Sequence, residues 1–93
     1  MICGFRDKDA AAIFARRFVR RLKGIEQAAY KRLKRLDAAR RLADLRAIPG
    51  NHLEALKADR KGQYSIRIND RWRICFRWIE GEGAHDVEIV DYH

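Results

Sequence analysis

A chain of 93 residues, 47% of them apolar, makes one small domain and is too rich in hydrophobic residues for a disordered tail. Its 21 Lys and Arg against 13 Asp and Glu give a net charge of +8 and favour polyanionic partners such as nucleic acid, the ribosome or an acidic protein. No apolar run approaches the ~20 residues that span a bilayer, so no membrane partner is expected. The opening Met-Ile-Cys-Gly-Phe-Arg-Asp-Lys-Asp runs directly into charged sequence and does not read as a signal peptide. Cys3 and Cys75 show no metal-binding spacing and read as reduced thiols, so the expected compartment is the cytoplasm.

Ile2 to Phe5 is a short candidate strand, and Asp7 or Asp9 can cap the helix that follows. Ala11, Phe14, Phe18 and Leu22 then recur at helical spacing, with Arg16, Arg17, Arg20 and Arg21 outside and Gly24 as the stop. A second helix carries Ile25, Ala29, Leu33 and Leu36 on one stripe, flanked by Lys31, Arg32, Lys34 and Arg35. The cations of both helices read as a solvated face. Leu42 and Leu45 suggest one further helical turn. Pro49-Gly50-Asn51 breaks the pattern. After it come strands at about 52–56, 63–68, 72–79 and 85–91. The expected fold class is α+β, two N-terminal helices packed on a small antiparallel β-sheet, forming a single domain over 1–93.

The stretch from Gln63 to Trp78 reads as a β-hairpin with two different faces. Tyr64, Ile66 and Ile68 share the apolar side with Trp72, Ile74, Phe76 and Trp78. Joining both apolar sides to one core requires even positions to pair with even positions. A three-residue loop, Asn69 to Arg71, satisfies that rule and a two-residue loop does not. The register then sets Arg67 opposite Arg73 on the other face. Like charges facing each other cost stability, which makes most sense if an anion such as a phosphate sits between them.

A turn at 80–83 would pair position 79 with 84, bringing Ile74 to Ile89, Phe76 to Val87, Arg77 to Asp86 and Arg71 to Tyr92. Asp91, Tyr92 and His93 would then end beside Arg67, Arg71 and Arg73, and the loop 54–60 could present Lys57 to the same surface. Lys57, Arg67, Arg73, Tyr92 and His93, with Asp91 nearby, supply what metal-free RNA cleavage needs. One group takes the proton from the ribose 2′-hydroxyl, another protonates the leaving 5′-oxygen, and cations stabilise the phosphorane. His93 is the natural proton carrier near neutral pH. Tyr92 can stack on a base. Arg67 and Arg71 are the candidate substrate-binding residues; His52, in a loop entering a strand, reads by itself as structural or solvent-facing. No metal site or cofactor is expected: Walker, Rossmann, HExxH and zinc spacings are all missing. The same cations also suit a phosphate-docking surface without catalysis.

Three ordered segments carry a family likeness: Gly50-Asn-His-Leu-Glu-Ala-Leu-Lys-Ala-Asp-Arg60, Gln63 through Trp78, and Val87-Glu-Ile-Val-Asp-Tyr-His93. They closely resemble the HigB group of toxins in the RelE/ParE superfamily of bacterial toxin–antitoxin systems. The likeness is dense after Gly50 and looser before Gly24. It implies a RelE/ParE-like, microbial-RNase-like fold and a toxin that cleaves messenger RNA in the ribosomal A site. Lys57, Arg67, Arg73, Asp91, Tyr92 and His93 fall on the family's active-site motifs. Some relatives carry a histidine where this chain has Glu54; His52, on the same face by strand alternation, is the candidate substitute. Ala58 stands where a glycine is common. The resemblance also implies a HigA-like helix-turn-helix antitoxin, with operator DNA bound only by the toxin–antitoxin complex. Two other readings stand beside the nuclease: a gyrase inhibitor of the ParE type, and a basic nucleic-acid-binding module.

Overall fold

The computed structural model describes residues 1–91. Tyr92 and His93, and with them the expected meeting of Arg71 and Tyr92, lie outside the described residues.

Asp7 is extended, and its carboxylate accepts the Asp9 N–H at 2.8 Å, so helix α1 (Lys8–Phe14) begins there. The helix ends well before Gly24. Arg16 turns left-handed (φ 60°), and the N–H groups of Arg16 and Arg17 donate to the carbonyls of Ile13 (2.9 Å) and Ala12 (2.8 Å). That is a Schellman closure with arginine where glycine is usual, so periodicity without a glycine carries the expected helix too far. Ala10 and Ile13 are the buried positions, Leu22 reaches the core from a separate 3₁₀ turn (Arg20–Leu22), and Phe18 is 68% exposed. Arg21 departs from the expected solvated face. It donates to Asp9 at 2.6 Å and Asp7 at 2.8 Å, tying that turn to the start of α1.

Helix α2 (Glu26–Ala38) buries Ala29, Leu33 and Leu36 along the expected stripe, and a short α3 (Leu42–Arg46) buries Leu45. The Asp44 carboxylate accepts the N–H groups of Arg41 and Arg40 at 3.0 and 3.1 Å, and these bonds hold its pKa below the ordinary range.

Four strands follow: β1 (Glu54–Ala55), β2 (Gln63–Arg67), β3 (Trp72–Ile79) and β4 (Gly83–Asp91), antiparallel and in the spatial order β1-β2-β3-β4. The expected strand at 52–56 shrinks to two residues, because His52 is left-handed (φ 46°) and the chain after Lys57 enters a 3₁₀ turn, Ala58–Arg60. In the first hairpin the even–even register holds: Tyr64 pairs with Phe76, Ile66 with Ile74, and Arg67 with Arg73.

The second hairpin departs from expectation at its turn. Ile79 pairs with Gly83, and Arg77 with His85, one residue off the expected register. An irregularity at Asp86, left-handed at φ 53°, restores it, so that Ile74 meets Ile89 and Arg73 meets Val90. Arg77 still reaches Asp86, at 2.7 Å. Gly83 is required where it stands, since a Cβ there would lie 2.1 Å from the Met1 carbonyl oxygen. Ile2 and Phe5 make only isolated parallel bridges, to Ala84 and Val87, along the β4 edge.

The core lies between the helices and one face of the sheet, joining Ile13, Leu22, Leu33, Leu36 and Leu45 to Ile66, Ile74, Phe76, Val87 and Ile89. Each such side chain contributes about 1.5–3 kcal/mol by leaving water. Trp72 and Trp78 are half-buried against it. The opposite sheet face therefore carries the polar set.

Candidate active site

The outer face of β2 and β3 presents Ser65, Arg67, Arg73 and Cys75, with Glu88 alongside on β4. Two of these are fully buried, Ser65 and Cys75. Ser65 lies opposite Glu54 of β1 and under the Arg73 guanidinium, and Cys75 is covered from the 3₁₀ turn. Arg60 donates to Gln63 Oε1 at 3.0 Å and to Glu88 Oε2 at 3.1 Å, crossing the sheet above Cys75. Bonding to Glu88 raises the Arg60 pKa, and burial pushes the Cys75 thiol up, away from the reactive thiolate.

Arg73 is held by its neighbours on β2 and the 49–52 segment. Its Nε donates to Ser65 Oγ at 2.8 Å, and its Nη2 donates to the His52 carbonyl at 2.6 Å. Arg67, directly opposite, turns the other way and ion-pairs with Asp70. The like-charge pair is thus accommodated by splitting the two guanidinium groups between separate acceptors. Arg71 makes a third arrangement: Nε and Nη2 both donate to Asp91 Oδ2, at 2.9 and 2.8 Å. That bond raises the Arg71 pKa and fixes the end of β4 beside Arg73.

Of the sequence-derived candidates, Arg67, Arg71, Arg73 and Asp91 share one end of the sheet but form two pairs. Arg67 and Arg73 are on the outer face. Arg71 and Asp91 are on the Trp72 side, where Asp91 pairs with Trp72 and Arg71 lies over its ring at 5.2 Å. Lys57 is exposed at the start of the 3₁₀ turn. Because β1 runs Glu54 to Ser65 and Ala55 to Tyr64, Lys57 sits toward the Gly62 end of the ladder, along which Arg73 reaches back to Ser65. His52 is placed differently from expectation. It is not in a strand, so alternation with Glu54 does not govern its side chain, and its carbonyl is the group that meets Arg73. Tyr92 and His93 follow directly on Asp91 and lie outside the described residues.

Sequence reasoning missed Ser65, Arg60 and Asn51. Ser65 was legible in principle, since alternation puts it on the Arg67 face. Arg60 and Asn51 act through contacts that no local pattern encodes.

Residues 5–93 match a protein-family model described as the RelE-like toxin of type II toxin–antitoxin system HigB. The chain is 46% identical over 57 residues to Toxin HigB-1 of Vibrio cholerae serotype O1, covering 61% of this chain and 60% of that protein. It is 40% identical over 63 residues to Endoribonuclease HigB of Proteus vulgaris, covering 67% of this chain and 65% of that protein. The matched stretches span less than two thirds of either relative's length.

Proposed function

The chain belongs to the HigB-like family, RelE-like toxins of type II toxin–antitoxin systems, and on that premise we propose that it is a ribosome-dependent endoribonuclease. It acts in the cytoplasm as one toxin domain over 1–93, cleaving messenger RNA in the A site without a metal ion and so blocking translation. A relative bears the name Endoribonuclease HigB. Supporting the reading above all is the pairing of Arg67 with Arg73 at the sheet end where β4 delivers Asp91.

In this reading Arg73 and Arg67 bind the scissile phosphate and stabilise the added negative charge as the ribose 2′-oxygen attacks phosphorus. The P–O5′ bond breaks, leaving a 2′,3′-cyclic phosphate and a 5′-hydroxyl. His93 and Tyr92 carry the protons, Asp91 acts with them in the catalytic set, and Lys57 adds charge from the β1 edge. Docking on the ribosome supplies much of the substrate positioning. A HigA-like helix-turn-helix antitoxin neutralises the toxin, and only their complex binds operator DNA.

Toe-printing of a defined messenger on programmed ribosomes tests this with wild type, Arg73→Ala and His93→Gln. Cleavage at the A-site codon by wild type alone is the expected result. A wild type that arrests growth yet leaves the messenger whole would overturn it in favour of a gyrase-type inhibitor or a binding module.

A further inference from the structure

Asn51 is a fully buried polar residue between the helical layer and the candidate site. Its Nδ2 donates to the Leu45 carbonyl of α3 at 3.0 Å, and its Oδ1 accepts from Arg32 Nη1 of α2 at 2.7 Å. Its own carbonyl accepts the N–H of Arg67 at 2.6 Å, at the end of β2. Buried polar groups satisfied this fully fix geometry, because every alternative arrangement leaves one of them unpaired.

Arg32 reinforces the same segment. It packs over Gly50, where a Cβ would stand 2.8 Å from Arg32 Nη2, and it reaches the Pro49 carbonyl at 3.5 Å. The next residue is His52, whose left-handed φ costs about 1–2 kcal/mol for a residue with a side chain. That cost is sustained only where the surroundings over-determine the backbone. Here it turns the His52 carbonyl onto Arg73 Nη2 at 2.6 Å. The chain of contacts runs from Arg32 through Asn51 to the Arg67 backbone on one side and the Arg73 guanidinium on the other.

We propose that Asn51, locked by Arg32, is a positioning residue: it aims the His52 carbonyl that holds Arg73 and anchors the strand end that carries Arg67. The proposal rests on the nuclease reading, in which those two arginines bind the phosphate. Neither Asn51 nor Arg32 touches substrate in this account.

The test is single-turnover cleavage on programmed ribosomes well below the thermal midpoint of each variant, with near-UV circular dichroism reporting folding. Misplacing a phosphate-binding group by about an ångström costs up to ~100-fold in rate. Asn51→Ala should therefore lower the cleavage rate constant by about 30–100-fold while the half-saturating ribosome concentration shifts less than about threefold. In an Arg73→Lys background the same substitution should cost several-fold less than in wild type, because the group it aims is already displaced and only the Arg67 anchor is left to lose. If Asn51→Ala does not fold, Arg32→Gln carries the same expectation at about 5–10-fold. Equal losses in both backgrounds, or undiminished cleavage by a folded Asn51→Ala or Arg32→Gln, would overturn this inference alone. A wild type that arrests growth without cleaving overturns the nuclease reading instead, and this inference with it.

Discussion

The two ends of the β3–β4 ladder treat their arginines differently. At the turn end, Arg77 meets Asp86 across the ladder at 2.7 Å, an exposed pair of opposite charges. At the open end, Arg73 faces Arg67 and is oriented by a hydroxyl and a backbone carbonyl, those of Ser65 and His52. Both bonds fix the direction of the Arg73 guanidinium. The turn end is built as an ordinary exposed surface. At the open end Arg67 and Arg71 also have carboxylate partners, Asp70 and Asp91. What sets this end apart is that two arginines face each other across β2 and β3 and one of them is aimed by Ser65 and His52, the preorganisation a phosphate site needs.

Exchanging the two positions in turn gives the largest contrast. Arg73→Ala should reduce A-site cleavage by more than about 100-fold, the usual scale for losing a donor aimed at a transition-state charge. Arg77→Ala should leave cleavage within about twofold and shift stability by less than about 1 kcal/mol, as for exposed ion pairs. Cleavage rates together with urea denaturation check both. If Arg77→Ala proved as damaging as Arg73→Ala, the two ends would not differ in function.

The same contrast explains which parts of the molecule are legible in sequence. Parity of Tyr64, Ile66, Ile74 and Phe76 is enough to set the first register, because a slip by one residue would expose the whole apolar face. The family motif adds the site residues at the open end. At the turn end, parity fails as a guide: Gly81 and Gly83 permit more than one turn, and the irregularity at Asp86 inserts a residue that no hydrophobic pattern marks. Helix α1 is misjudged for a related reason, since Arg16 takes a left-handed position that sequence reading reserves for glycine. Asn51 and His52 serve through backbone and amide contacts with distant elements, which composition and spacing do not reveal.

In the 3₁₀ turn at the Gly62 end of the ladder, Ala58 is left-handed at φ 58°, where the family resemblance leads one to expect glycine. An L-residue pays about 1–2 kcal/mol in that conformation, and glycine's extra unfolded-state entropy offsets about 0.5–1 kcal/mol of the gain. Ala58→Gly should stabilise the chain by about 0.5 kcal/mol. Because the 3₁₀ turn it opens also carries Arg60 over Cys75, the substitution should leave that thiol unreactive toward iodoacetamide while the exposed Cys3 is alkylated. Faster alkylation of Cys75 would mean that the strained backbone is what holds the cover closed.

The smallest effect belongs to the turn end and concerns pH. Asp86 is an exposed carboxylate whose pKa is held below the ordinary range, first by the hydrogen bond from Arg77. A depressed folded-state pKa means the unfolded chain binds the proton more readily. The pair's contribution is therefore fully present above the unfolded carboxylate pKa and disappears as pH falls through the lower folded value. Asp86→Asn removes the charge while keeping a residue that tolerates φ 53°, so the irregularity should survive. The expected outcome is slightly lower stability near neutral pH and a shallower acid limb in urea melts, with the two curves converging at low pH. A parallel offset at every pH would assign Asp86 a packing role. The turn end would then differ from the open end in backbone shape rather than in charge pairing.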